Sequence, residues 1–185
     1  MLTWIILAVL AAVIVYAAVV FNRLVRNRQM ANEAWSGIDV QLKRRSDLVP
    51  NLVESVKGYA AHERSLLQSV TELRNAAQAL PSGDVGARAQ AEGALSAALG
   101  KLIAVAESYP DLKASGNFLA LQKELSTLEG ELQMARRYYN GAVRNQNTLV
   151  QSFPSNLIAG LFRFAERDYF QLADAGEGAV PQVAL

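Results

Sequence analysis

The stretch Leu2-Thr3-Trp4-Ile5-Ile6-Leu7-Ala8-Val9-Leu10-Ala11-Ala12-Val13-Ile14-Val15-Tyr16-Ala17-Ala18-Val19-Val20-Phe21 holds twenty residues without a charge, with Thr3 and Tyr16 supplying nearly all of its polar atoms. A bilayer hydrocarbon core about 30 Å thick is crossed by roughly twenty apolar residues in a helix rising about 1.5 Å per residue. The run has that length, so it is expected to span a membrane, with Leu2, Trp4, Ile5, Ile14, Tyr16 and Phe21 among its residues. A secretory signal peptide would carry basic residues ahead of an apolar core of about 7 to 15 residues, followed by a small-residue cleavage site. Here no Lys or Arg comes first and the run is longer, although Ala17 and Ala18 imitate a cleavage site. A core helix of a soluble protein would show a polar face, and none appears at any helical period.

Charge on the two flanks sets the expected orientation. Before the run there is only the terminal amine, whereas Arg23, Arg26 and Arg28 follow at once and Lys43, Arg44 and Arg45 come a little later. An excess of Lys and Arg beside a span marks the cytoplasmic side. The expectation is a single-pass protein of the bacterial cytoplasmic (inner) membrane, N-terminus outside and body cytoplasmic. Arg23, Arg26 and Arg28 read as interfacial anchors, each attracted to an anionic leaflet by about 1 kcal/mol.

Beyond Phe21 the chain of 185 residues is long enough for one domain with a real core and too short for two of ordinary size. The formal net charge of +1 gives no overall pull toward nucleic acid, and Lys43-Arg44-Arg45 lacks interleaved aromatics on a common side. The absence of cysteine rules out disulfides, thiolate metal sites and cysteine nucleophiles.

From Asn22 to about Ala79 the apolar residues recur at alternating steps of three and four: Trp35, Ile38, Leu42, Val49, Leu52, Val56, Tyr59, Leu66, Val70, Leu73, Ala77 and Leu80 share one seam. The period predicts one long amphipathic helix continuing from the span, with a kink near Pro50, where an amide is missing from the ladder. Leu80-Pro81-Ser82-Gly83-Asp84 is a stop and a turn, with Ser82 or Asp84 available to cap a second, Ala-rich helix from about Val85 to Ser108. Tyr109-Pro110-Asp111-Leu112 ends it. A third helix follows to about Ser152, its seam running Phe118, Leu121, Leu125, Leu128, Leu132, Ala135, Tyr139, Ala142, Gln146, Leu149, Phe153 in unbroken alternation. Phe153-Pro154-Ser155-Asn156 breaks that helix, and Ser155 is placed to cap a short fourth one from Leu157 to about Phe164. The expected fold is therefore all-α: a single transmembrane helix continuing into a long antiparallel bundle of three long helices plus a short fourth. The expected division is an anchor over 1–21, a bundle over 22–173 and a flexible tail over 174–185, where the composition turns to Ala-Gly-Glu-Gly-Ala-Val-Pro.

Few residues offer chemistry. The lone histidine, His62, sits beside Glu63, but no His or Cys stands at the spacing that would complete a metal site, so a structural role at the seam is the better reading. Arg45 and Glu63 interrupt the seam, and a charge taken out of water must be paired. They are expected in a polar layer that fixes helix register, with Asp39, Asn51 and the Glu129 and Arg136 pair as further polar or interaction candidates; a ligand pocket in the bundle is the alternative. In the fourth helix Leu157, Ile158, Leu161 and Phe162 crowd together, either closing the bundle or contacting lipid or another subunit. Phosphate loops, nucleophile elbows and paired carboxylates on loops do not occur. No enzyme, cofactor or metal is expected.

Several segments together resemble the LemA family of bacterial membrane proteins: Asn32-Glu33-Ala34-Trp35-Ser36-Gly37-Ile38-Asp39-Val40-Gln41-Leu42-Lys43-Arg44-Arg45, Asp47-Leu48-Val49-Pro50-Asn51-Leu52-Val53, Gly58-Tyr59-Ala60-Ala61-His62-Glu63, Glu107-Ser108-Tyr109-Pro110-Asp111-Leu112-Lys113-Ala114, Tyr139-Asn140, Asn147, Phe153-Pro154-Ser155-Asn156 and Tyr169-Phe170. The resemblance covers nearly the whole chain. It implies one N-terminal span, a cytoplasmic antiparallel bundle and, for some relatives, a part in building or shaping internal membranes; it brings no catalytic residue. Gln146 departs from the family pattern, which prefers tyrosine there. The expected function is non-enzymatic: an anchored bundle that self-associates and organises the membrane or scaffolds an unidentified membrane partner. The alternative is a sensor or adaptor binding a small molecule or peptide at the polar layer. Membrane lipid and further copies of the chain are the expected partners, and nucleic acid is not.

Overall fold

The computed structural model describes residues 1–60 and 62–171. The expected tail over 174–185 lies outside the described residues. All regular structure among the described residues is helical: α1 Leu2–Lys57, α2 Arg64–Ala79, α3 Val85–Ala106, α4 Pro110–Lys113, α5 Gly116–Gln151 and α6 Ser155–Leu161.

The long first helix expected to reach Ala79 is two helices. α1 stops at Lys57, Gly58 and Tyr59 form a turn, and α2 restarts at Arg64. The three-four period runs through the break because both pieces are amphipathic, so periodicity does not register the interruption. The reason for it is burial. By turning back, α2 brings Leu67 and Val70 into the same core as Val49, Leu52 and Val56 of α1, which residues of one straight helix cannot do. Pro50 does not end α1, which passes through it. Its missing amide would have bonded the carbonyl four residues earlier, that of Ser46, and Arg74 Nε donates to that oxygen at 2.8 Å instead. Asp84 caps α3, its carboxylate accepting the Ala87 amide at 2.9 Å. Ser155 is no cap for α6: its hydroxyl donates to the Ser152 carbonyl at 2.9 Å, and Pro154 holds the cap position.

The chain forms two compact units. The first comprises Met1–Ile38 and Ala135–Tyr169, the second Asp39–Met134 with Phe170. In the second unit one core takes Val49, Leu52 and Val56 from α1, Leu67 and Val70 from α2, Leu95, Leu99 and Leu102 from α3, Leu112 from α4, and Phe118 and Leu125 from α5. Small residues on α3, Ala98 and Ala106, are buried in that core, which lets its backbone approach its neighbours closely. In the first unit α6 packs on the early part of α1, where Val20, Leu24, Ala159 and Phe164 form a buried cluster flanked by Phe21, Val25 and Ile158.

Candidate functional site

The apolar, uncovered part of the first unit is built around α1. Residues 1–19 are exposed save the partly covered Ala17, and burial begins at Val20. Among the described residues, only here is a helix long enough and apolar enough to cross a membrane combined with an absence of protein cover. Eighteen residues at about 1.5 Å each give roughly 27 Å, close to a hydrocarbon core. Leu2, Trp4, Ile5, Ile14 and Tyr16 are exposed on it, whereas Phe21 already touches protein, its ring 4.7 Å from that of Phe162 and 5.9 Å from that of Phe164. Arg23, Arg26 and Arg28 are exposed just past the run, and the Arg28 guanidinium lies 5.0 Å over the Phe164 ring.

The four apolar candidates of the fourth helix do not act alike. Ile158 packs inward against the α1 cluster and Phe162 rests one side of its ring on Phe21 while staying half exposed, whereas Leu157 (62% exposed) and Leu161 (73%) point out. Phe153, which the seam of the third helix would have buried, is 80% exposed beyond the end of α5 and joins the outward group. α6 ends in a left-handed residue, Arg163 at φ 57°, with Arg163 N bonded to the Gly160 carbonyl at 3.2 Å and Phe164 N to the Ala159 carbonyl at 2.9 Å. From Phe164 the chain forms a strap stapled to α5. The Asn147 amide makes two 2.9 Å bonds to the backbone of Arg167, Tyr139 Oη donates to the Asp168 carbonyl at 2.9 Å, and Gln151 donates to Glu166 at 2.9 Å. Tyr139 stacks obliquely on Trp35 at 5.4 Å, and its burial raises the phenol above its ordinary value, against an opposing pull from Arg167. Gln146, the departure from the family pattern, is buried.

In the second unit the polar layer centres on Arg45, 1% exposed. Its guanidinium donates to Ser96 Oγ at 2.6 Å, to Glu129 Oε1 at 2.8 Å and to both the carboxylate and the carbonyl of Glu92. Arg88 adds a second cation, 3.5 Å from Glu92 and 3.4 Å from Asp39. The carboxylates at Arg45 are thus Glu92 and Glu129. Glu63 instead precedes α2 as its N-cap residue, because α1 ends before it. His62 is exposed in the same break, away from any seam. Asn51 is exposed, and Arg136 Nε is buried with no hydrogen-bond partner among the described residues, while Glu129 is engaged by Arg45. Sequence reasoning missed Glu92, Ser96 and Arg88. The signal was present: Glu92 is the one acidic residue of α3, four residues after Arg88. Beside this layer lies a cleft of about 570 Å³ lined by Asp39, Lys43, Ser46, Arg88 and Glu92, where the buried Ser46 hydroxyl has no partner among the described residues.

Comparison with known proteins agrees with this picture. The chain is 25% identical over 181 residues to magnetosome protein MamQ 2 of Paramagnetospirillum magneticum, covering 85% of this chain and 66% of that protein. It is 24% identical over 189 residues to magnetosome protein MamQ of Magnetospirillum gryphiswaldense, covering 88% and 70% respectively. Protein LemA of Metamycoplasma hominis is 30% identical over 140 residues, 75% of this chain and 63% of that one. The chain therefore spans just under two thirds of the length of the first of these relatives. None of these names is that of an enzyme. Because the sequence profile of the LemA family matches residues 34–185, most of the chain, this protein belongs to the LemA family.

Proposed function

We propose that this protein is a non-enzymatic, single-pass protein of the bacterial inner membrane, with its N-terminus outside and its helical body cytoplasmic, which self-associates and organises lipid or scaffolds membrane partners. The observation that carries the reading is the unburied apolar helix over residues 1–19, bounded by exposed Arg23, Arg26 and Arg28. Magnetosome relatives lend it support, as does a polar layer in which the buried Arg45 is paired with Glu92 and Glu129, an arrangement suited to fixing helix register rather than to proton transfer. The test is a reporter fused after residue 171 and another before residue 1, combined with chemical crosslinking in native membranes. Cytoplasmic signal from the first, external signal from the second and a ladder of crosslinked copies are expected. An inverted pair removes the orientation, and single copies at all expression levels remove the scaffold.

One observation favours a second reading, in which the body senses a small polar ligand. The cleft beside the polar layer presents the cations Lys43 and Arg88, the carboxylate of Asp39 and the unbonded Ser46 hydroxyl, a set that suits a small zwitterion. A thermal-shift screen with free amino acids and short peptides distinguishes the two: stabilisation lost in Ser46→Ala and Lys43→Met favours the sensor, and a flat screen disfavours it.

A further inference from the structure

We infer that α6 and Phe153 form a second membrane contact, an apolar wedge lying in the interfacial layer of the leaflet next to the body. This rests on the reading of α1 as a span. The first ground is the division of faces on α6. Ser155 and Ala159, one turn apart, are buried, whereas Phe153, Leu157 and Leu161, also at steps of four, are exposed and carry no polar atom. The outward row of this short helix is thus wholly apolar and is not suited to water.

The second ground is position. α6 packs on Val20, Phe21 and Leu24, the point where the exposed apolar run of α1 ends and Arg23 begins. If residues 1–19 lie in hydrocarbon, a helix held against residues 20–24 lies at the boundary between chains and headgroups. Arg23, Arg26 and Arg28 follow the apolar run along α1 and Arg163 follows α6, all exposed, which matches the cationic flank of an interfacial helix. Continuity with the span selects lipid as the occupant over a second copy: a protein docking on this face would have to intrude into the headgroup layer itself. The strap that follows, fixed by Asn147 to Arg167, keeps α6 from swinging away.

The chain contains no cysteine, so single cysteines can be labelled with an environment-sensitive fluorophore in the otherwise unaltered full chain. Three variants are reconstituted in phosphatidylglycerol and phosphatidylethanolamine vesicles: Leu161→Cys on α6, Leu10→Cys in the span and Glu124→Cys on an exposed face of α5. The expected result is several-fold stronger quenching at L161C by lipids carrying a nitroxide near the headgroup than by aqueous iodide, with L10C quenched by a deep nitroxide and E124C by iodide alone. Iodide quenching at L161C with L10C still deep overturns the wedge and leaves the anchor standing. Shielding of L161C from both quenchers assigns the face to a protein neighbour and also overturns the wedge. Iodide quenching at L10C removes the anchor itself, and the wedge with it.

Discussion

Arg45 shows how a single buried charge is kept tolerable. Its partners Glu92, Glu129 and Ser96 take the two terminal nitrogens, so the guanidinium sits among acceptors although it is almost wholly out of water. Removing it leaves Glu92, itself buried, facing only the longer contact to Arg88. Arg45→Ala is therefore expected to lower stability by about 3 to 5 kcal/mol, whereas Arg45→Met combined with Glu92→Leu loses far less, since no charge is then left stranded; urea unfolding of both variants checks this. Arg74 makes a similar argument for a neutral group. It supplies the donor that Pro50 withholds from the Ser46 carbonyl. Arg74→Met should cost about 1 to 3 kcal/mol by orphaning that oxygen. In a Pro50→Ala background the same change should be much milder, because the restored amide then bonds the carbonyl, and a double-mutant cycle that came out additive would refute the account. Arg45 was legible in the sequence because a charge on an apolar seam is conspicuous. Its partners were not, because the seam assigned Glu63 to the same face across a break that periodicity cannot detect, and Arg74 carried no signal at all.

At the scale of elements, the all-helical character, the long α5 and the turns at residues 80–84 and 152–154 followed from period and punctuation, since proline and glycine act locally. What was not legible depended on tertiary contact: the return of α2 onto α1, the one-turn α4, and the strap after α6, whose residues have no period and are fixed by α5 side chains four and eight positions apart and by Asn32 of α1. The exposure of Phe153 was hidden for the same reason, as it continues the α5 seam by spacing but falls beyond the last turn of the helix. The strap has a pH signature. Tyr139 donates to the Asp168 carbonyl, and burial raises its phenol above the ordinary value of about 10. With the folded value raised, the native state holds the proton more tightly than the unfolded chain. Stability from this group is then complete below pH about 10 and is lost as pH rises past it. Tyr139→Phe should lower the melting temperature at neutral pH by removing the hydrogen bond, and should also flatten the alkaline decline; melts between pH 8 and 11 compare the two. An unchanged alkaline slope in the variant would show that Tyr139 does not couple folding to pH.

For the whole molecule, the question is whether the apolar leader contributes to folding or only to place. Residues 1–19 hold no buried side chain, only Ala17 among them being partly covered, and the first buried side chains on α1 are Val20 and Leu24. Deleting residues 2–19 while keeping Val20 onward therefore removes no core side chain from either unit, and its loss is expected to be felt by the bilayer. The shortened chain is expected to keep its helical circular dichroism and its melting temperature within the small error of surface changes, about 0.5 kcal/mol. It should leave the integral membrane fraction. It should not become indifferent to membranes, because Phe153, Leu157, Leu161 and Phe162 remain exposed beside a cluster of arginines. Weak, reversible binding to anionic vesicles is expected, reduced by salt through the arginines and abolished by Leu157→Glu with Leu161→Glu. A fall in melting temperature on deletion would instead mean that the leader is packed against protein in the native assembly, and that the twenty uncharged residues which open the chain serve association between copies before they serve the membrane.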